Sequence, residues 1–161
     1  MKELQKPLGK IINNQLLDTI TEKAKESPRL RMNHNLHNSL EDKVQQLLNA
    51  LEPGTEIPIH RHTHTSETYL LLRGKIKVFF HNDQGEVVES FNLIAVGTNY
   101  GENHQKKHPE NYGLNIPAGQ WHSLEVLESG TIILEIKEGP YKPLGPEEII
   151  SKVSHLANSH K

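Results

Sequence analysis

Apolar residues recur every four positions near the start of the chain. This spacing places them on one side of a helix. It appears within residues 10–26 at Ile12, Leu16, Ile20 and Ala24. Pro28 ends the pattern, because the residue before a proline avoids the α conformation. We therefore predict an amphipathic helix over residues 10–26, inside an N-terminal extension of residues 1–28.

After Pro28 the pattern changes to a period of two. In "RLRMNHNLH", residues 29–37, the apolar Leu30 and Met32 alternate with Arg31 and Asn33, which predicts a strand. The face that carries Arg31 and Asn33 either looks into the protein, where it offers donors to a ligand, or faces solvent. The stretch "VQQLLNALEPG", residues 44–54, fits a helix as well as a strand. We favour a strand because strands follow it.

Short strands then recur between turn signals. The turns are Asn82-Asp83-Gln84-Gly85, Ala95-Val96-Gly97 and Pro117-Ala118-Gly119. This spacing is typical of an all-β sandwich or barrel, which we place at residues 29–140. The polar insertion at residues 98–112 is either a solvated loop or a lid. Residues 141–161 begin with a proline-rich segment and predict a short helix with Ile149, Ile150, Val153 and Leu156 on its apolar side.

Composition excludes several classes of protein. The chain has no cysteine, which rules out disulfides and thiolate metal sites, and its net charge is −2. That charge argues against binding to nucleic acid or to an anionic membrane surface. No apolar stretch approaches the length of a membrane span, and the N-terminus lacks the apolar region of a signal peptide. We expect a soluble, cytoplasmic protein.

Candidate chemistry concentrates in "PGTEIPIHRHTHTSETYLLLRG", residues 53–74. On a strand, His60 and His62 point to the same face, and Glu67 returns on the next strand. Imidazole and carboxylate together suit Zn, Fe, Ni or Mn. A further ligand must come from elsewhere, and His122 in "PAGQWHSL" follows a turn at the start of another strand. His64 extends the alternating series, so it competes for a place in the site, and an H-x-H pair on an exposed strand is more often only solvated.

The spacing of these residues resembles a known superfamily. The order Gly54, five residues, His60, one residue, His62, four residues, Glu67, six residues, Gly74 is similar to the first cupin motif. "PAGQWH" is similar to the second motif, although Asn111 and Val126 stand where that motif usually has glycine and asparagine. Four segments, "RLRMNHNLH", "LEPGTEIPIHRH", "NIPAGQWHSL" and "EIKEGPYKP", resemble the small cupin-fold metalloproteins of the WbuC family over about residues 10–146.

The WbuC resemblance implies a fold and a metal site. The fold would be an all-β, cupin-type double-stranded β-helix (jelly-roll) barrel, with an N-terminal helix and a short C-terminal helix. The site would hold one divalent metal ion per chain, Zn, Fe, Mn or Ni, on His60, His62, Glu67 and His122. Because that family is associated with O-antigen and surface-polysaccharide gene clusters, a sugar-like ligand is expected.

Neighbours of the expected ligands suggest the walls of a pocket. If Glu67 points inward, Tyr69 does too, and His122 brings Gln120. Trp121 either walls the pocket or fills the core beside the metal. The predicted lining is His64, Tyr69, Gln120, Trp121, Arg31 and Asn33. Leu70 and Leu72 are apolar on the opposite face, so the N-terminal helix, another sheet or a second subunit must cover them. We also expect a homodimer.

Three functions are compatible with these features. The first is binding of, or action on, a sugar or sugar nucleotide, as an isomerase or epimerase that uses the metal as a Lewis acid. The second is a non-haem iron dioxygenase. The third is a non-catalytic carbohydrate-binding or regulatory module. A cupin fold does not choose among them, and the sequence identifies no catalytic residue.

Overall fold

Most of the regular structure in the described residues is β-strand, and one α-helix precedes the strands. The computed structural model describes residues 9–98 and 109–151. Helix α1 spans Asn14–Glu26, and a 3-10 turn spans Pro146–Glu148. The strands are β1 (Arg31–Asn35), β2 (Val44–Leu51), β3 (Ile59–His60), β4 (Glu67–Arg73), β5 (Lys75–His81), β6 (Val87–Ile94), β7 (Gly113–Ile116), β8 (Trp121–Val126), β9 (Thr131–Glu138) and β10 (Ile149–Ile150).

The strands form two five-stranded antiparallel sheets. The first sheet has the order β1-β2-β9-β4-β7, and the second has the order β10-β3-β8-β5-β6. This arrangement confirms the predicted all-β jelly roll. It corrects the expectation of a closed barrel, because the hydrogen-bonded ladders end at β1 and β7 in one sheet and at β10 and β6 in the other. The molecule is an open sandwich with the core between its two sheets.

One core lies between the inner faces of the sheets. Alternate residues of the central strands are fully buried there, among them Leu71, Ile76, Val78 and Ile133. Val126, which stands where the second motif usually has asparagine, is part of this core. At the end of β4, Gly74 has a φ of +79°, and a Cβ there would collide with Thr131. The glycine that closes the first motif is therefore required by this turn.

Helix α1 covers part of the outer face of the first sheet. Its apolar side packs on Leu48, Ala50 and Ile132, and Leu72 packs against this cluster as predicted for an outward residue that needs a cover. The helix begins at Asn14 and not at residue 10 as predicted, so Ile12 lies outside it. It starts there because the Asn13 side chain caps it by accepting a hydrogen bond from Leu16 N at 3.0 Å.

The helix leaves part of that outer face uncovered. The neighbouring Leu70 and Ile136 remain 37% and 38% exposed. A second subunit would cover them, and the homodimer stays a prediction. No helix in the described part of the chain is long and apolar enough to cross a membrane.

The C-terminal prediction is wrong where it can be compared. Ile149 and Ile150 form β10, which pairs with β3, instead of lying on a helix. Within the described residues, the helical part of this segment is the 3-10 turn at Pro146–Glu148. The backbone groups of Ile149 and Ile150 are satisfied by pairing with the edge of β3 instead of by a helix. Val153 and Leu156 lie outside the described residues, as do positions 99–108 of the polar insertion.

Candidate metal centre

Both sheets contribute to a buried cluster of histidine and carboxylate. His60 on β3 pairs directly with His122 on β8, and Glu67 begins β4 in the opposite sheet. One candidate ligand atom from each residue lies within 4.8 Å of the others, and all three side chains are buried. His60, Glu67 and His122 therefore form a group that could hold a metal ion.

The backbone orients both imidazoles of this group. His60 Nδ1 lies 2.9 Å from the carbonyl of Pro58, and His122 Nδ1 lies 2.9 Å from the carbonyl of Gln120. A carbonyl only accepts, so each Nδ1 carries a proton, and Nε2 is the ring nitrogen left to face the cluster. His122 Nε2 is buried without a hydrogen-bond partner, although Glu67 Oε2 is 3.2 Å away. A buried, unsatisfied imidazole nitrogen beside a carboxylate fits a metal ligand.

His62 touches the same carboxylate from another side. Its Nε2 lies 3.0 Å from Glu67 Oε1, while its ring centroid is 6.3 Å from that of His122. His62 is therefore next to the three-residue group but not one of its members. The four-ligand set stays a prediction. His64 is also outside the group, with its ring 6.3 Å from that of His62.

The surroundings keep the carboxylate charged and His60 neutral. Burial would raise the pKa of Glu67, but the side chains of His122 and His62 outweigh it and hold this pKa well below its ordinary value. Tyr69 donates a hydrogen bond to Glu67 Oε2 at 3.2 Å, and Lys137 Nζ lies 3.6 Å from Oε1. Burial, with the charge of His122, lowers the pKa of His60 to about 4. These are the protonation states that a metal requires of its ligands.

A cavity of about 300 Å³ opens from this cluster. Of the predicted lining residues, Tyr69, Arg31 and Asn33 lie on its wall, so the polar face of β1 looks inward. The complete lining is Arg29, Arg31, Asn33, Asn49, Ile57, Pro58, His60, His62, Glu67, Tyr69, Leu124, Glu135, Lys137, Tyr141, Lys142 and Leu144.

Three predicted lining residues are not on this wall. Trp121 alternates with His122 on β8 and points the other way, where it donates to Asp83 at 3.0 Å and packs under Arg61. The Gln120 side chain donates to the backbone carbonyls of His81 and Trp121. His64 lies beyond His62 on the turn before β4. The expectation that these three line the pocket needs correction, because strand alternation and local hydrogen bonds direct them elsewhere.

Strand β9 contributes two wall residues that the sequence patterns did not indicate. Glu135 and Lys137 alternate with outward residues and lie opposite Tyr69 and Glu67 on β4. Asn49 donates to Glu135 at 3.1 Å, and burial raises the pKa of this carboxyl. The alternation of "TIILEIKE" could have placed both residues on the face of Ile133, but not beside the cluster, since their partners are distant in sequence.

A second cavity of about 460 Å³ adjoins the first. The two share Asn33, Glu135, Lys137 and Tyr141. Its other walls are His34, Asn35, His37, Leu40, Gln45 and Leu47. The space next to the candidate metal centre is therefore larger than one chamber, and its walls carry both polar and apolar surface.

Fold and site together define a cupin-type jelly roll with a candidate metal centre. The chain belongs to the family described as a domain of unknown function, DUF6016, whose model matches residues 12–93, more than half of the chain. No curated protein matches it.

Solved structures show the same fold at low identity. BH2720 from Bacillus halodurans is 19% identical with a TM-score of 0.54, and the match covers 88% of this chain and 89% of that one. The SPY1581 protein of unknown function from Streptococcus pyogenes is 15% identical with a TM-score of 0.50, covering 87% and 93%. A cupin superfamily protein from Desulfitobacterium hafniense is 17% identical with a TM-score of 0.46, covering 83% and 91%. At such identities the first two matches support the fold alone.

Proposed function

We propose that this protein holds a divalent metal on His60, Glu67 and His122, with His62 as a fourth ligand, and binds a small sugar or sugar nucleotide beside it. One observation carries the proposal: the buried histidine–carboxylate cluster opens into a cavity of about 300 Å³ with several polar side chains on its wall. Cavities of this size with a few convergent polar groups are the usual form of small-molecule sites.

The walls of the cavity suit a ligand with several hydroxyl groups. Asn33 and Asn49 offer amide donors and acceptors, and Arg31 offers guanidinium donors. Leu124 and Tyr69 add apolar surface to the lining, which suits the C–H face of a sugar ring. The resemblance to the WbuC family supports the same ligand class and a role in surface-polysaccharide metabolism.

We further propose that the reaction, where turnover occurs, is an isomerisation or epimerisation. A divalent ion at this centre would supply Lewis acidity, which polarises a carbonyl or hydroxyl. Such reactions also need a group that moves a proton at carbon. Glu135 lies on the cavity wall with a raised pKa, and a carboxyl tuned upward is suited to general acid–base work. Glu135 is thus the proposed acid–base residue.

The test combines metal analysis with a ligand panel. Protein purified without added metal or chelator is assayed for its elements. The metal-loaded protein is then titrated with nucleotide sugars and phosphosugars by calorimetry, and turnover is followed by NMR. We expect metal-dependent binding that His60→Ala removes and His64→Ala, a matched histidine outside the group, retains.

The same experiments give a different result for each alternative function. Binding without turnover would favour the carbohydrate-binding module. Bound iron with ligand-dependent oxygen consumption would favour the dioxygenase. If no carbohydrate binds in a metal-dependent way, the sugar proposal is wrong.

A further inference from the structure

Two arginines without acidic partners lie on the wall of the metal cavity. Arg29 and Arg31 both line it. Among the residues that the structure describes, neither forms an ion pair, whereas Arg73 on the other side of the sheet pairs with Asp18. Unpaired guanidinium groups in a concave site can bind an anion from outside the protein.

Hydrogen bonds anchor the Arg31 side chain and the backbone of the segment that carries Arg29. Arg31 Nη1 donates to the carbonyl of Glu56 at 2.7 Å, which holds its guanidinium in place. The carbonyl of Arg29 accepts from the Thr55 hydroxyl at 2.7 Å, and the carbonyl of Leu30 accepts from Glu52 N at 3.0 Å. Arg31 has further N–H groups that make no hydrogen bond within the described chain, so they are available to a ligand.

The side chains on the cavity wall carry an excess of positive charge, which also favours an anionic ligand. Its wall carries four cations, Arg29, Arg31, Lys137 and Lys142, against two carboxylates, Glu67 and Glu135. Lys137 is the one cation of this set close to a carboxylate, Glu67. Burial and the neighbouring Arg29 lower the pKa of Arg31, as expected where like charges are held together. This excess is local, because the whole chain has a net charge of −2.

We infer that the ligand carries an anionic group, a phosphate or a carboxylate, that binds Arg29 and Arg31 while its hydroxyl oxygens lie toward His60, Glu67 and His122. Planar guanidinium groups match both oxyanions with paired hydrogen bonds. Asn33, next on the same strand face, offers an amide donor to the same group. The inference rests on the proposed function only for where the uncharged end of the ligand lies.

Three hexoses of similar size test it: glucose 6-phosphate, glucuronate and glucose. They differ only at C6, which bears a phosphate ester in glucose 6-phosphate, is the carboxylate carbon in glucuronate and bears a hydroxyl in glucose. Calorimetric titration of the metal-loaded full-length protein should show at least one anionic hexose binding about tenfold or more tighter than glucose, since charge-assisted hydrogen bonds are the stronger ones. The tighter of the two anions identifies the group.

Arg31→Gln and Arg29→Gln should each reduce this preference about tenfold while leaving the metal content unchanged. Arg73→Gln, which removes the same charge outside the cavity, should keep the preference. The preference should also weaken as salt is added. If one cavity variant does not fold, as judged by circular dichroism, the other decides.

Failure of the inference is separable from failure of the proposed function. Equal affinities for the three hexoses, or a preference unchanged in both cavity variants, would overturn the anion site even if metal is bound. An arginine-dependent preference in protein that binds no metal would support the anion site and reject the metal proposal. If no hexose binds, inorganic phosphate is titrated, and the absence of arginine-dependent phosphate binding overturns the inference.

Discussion

At the scale of single residues, two imidazoles and one carboxylate are fixed by groups that the rest of the protein supplies. The Nδ1 atoms of His60 and His122 are each directed at a backbone carbonyl. The Nε2 atoms of both histidines are therefore the ones that could bind a metal ion together with Glu67.

Replacing His122 by alanine should abolish stoichiometric metal binding, because it removes the nitrogen that is buried without a hydrogen bond. His64→Ala should bind metal normally, since His64 is outside the three-residue group. Elemental analysis and circular dichroism of both variants check this. Full metal content in His122→Ala, together with loss in His64→Ala, would show that the assignment of the histidines is wrong.

The metal-free protein should lose stability as the pH falls. His60 has a pKa of about 4 in the folded chain and about 6.5 when unfolded. Between these values the unfolded chain binds more protons, so stability falls as pH decreases through this window. At pH about 5 the loss from His60 is about 2 kcal/mol relative to pH about 7.5.

Urea unfolding with chelator present, at both pH values, measures this loss. His60→Gln, which cannot take up the proton, should lose about 2 kcal/mol less than the wild-type protein over the same range. An equal loss in both proteins would mean that His60 is not the group responsible.

The sequence predicts the cluster better than its surroundings. His60, His62 and Glu67 fall within one short stretch, although β3 and β4 do not pair as neighbours: the short connection between them places Glu67 of one sheet opposite His60 of the other. Glu135 and Lys137 join them only because β9 pairs with β4 in a particular register. A register between distant strands depends on the packing of the whole sandwich, which one sequence does not display.

At the scale of elements, β2 and the C-terminal segment show where a sequence pattern does not decide between helix and strand. "VQQLLNAL" suited helix or strand because it buries Leu47 and Leu51 on one face and Leu48 and Ala50 on the other. A strand covered on both sides has no alternating pattern to recognise, and only the strands around it resolved the choice. Ile149 and Ile150 had no such neighbours in sequence, and their partner β3 lies far back in the chain.

The C-terminal segment should be needed to hold the histidine stretch in place. Glu148 accepts hydrogen bonds from the Thr63 hydroxyl at 2.8 Å and from Gly145 N at 3.2 Å. Glu148→Ala removes both and should cost about 1 to 3 kcal/mol of unfolding free energy. It should also weaken metal binding, because Thr63 follows His62 directly.

Glu147→Ala is the matched control, since Glu147 is an exposed neighbour of the same type. Thermal melts and metal titrations of the two variants give the comparison. Equal effects from both substitutions would show that Glu148 has no special role in supporting the loop.

At the scale of the whole molecule, the candidate metal centre connects the two sheets. Because the unfolded chain cannot preassemble the ligands, metal should stabilise the folded protein. At a free metal concentration about a hundred times the dissociation constant, the gain is about 2.7 kcal/mol. Calorimetric melts with and without metal test this, and a gain of the same size in His122→Ala would exclude the cluster as the binding site.

The position of the ligands on both sheets also has a consequence for the order of events in folding. His60 and Glu67 are close in sequence, but His122 reaches them only after β8 has paired with β3 and the sheets have closed. Metal contacts should therefore form after the rate-limiting step, so metal should slow unfolding and leave the folding rate nearly unchanged. Stopped-flow measurements across a range of urea would show the unfolding limb shifting alone, whereas faster folding with metal would mean that the centre assembles early.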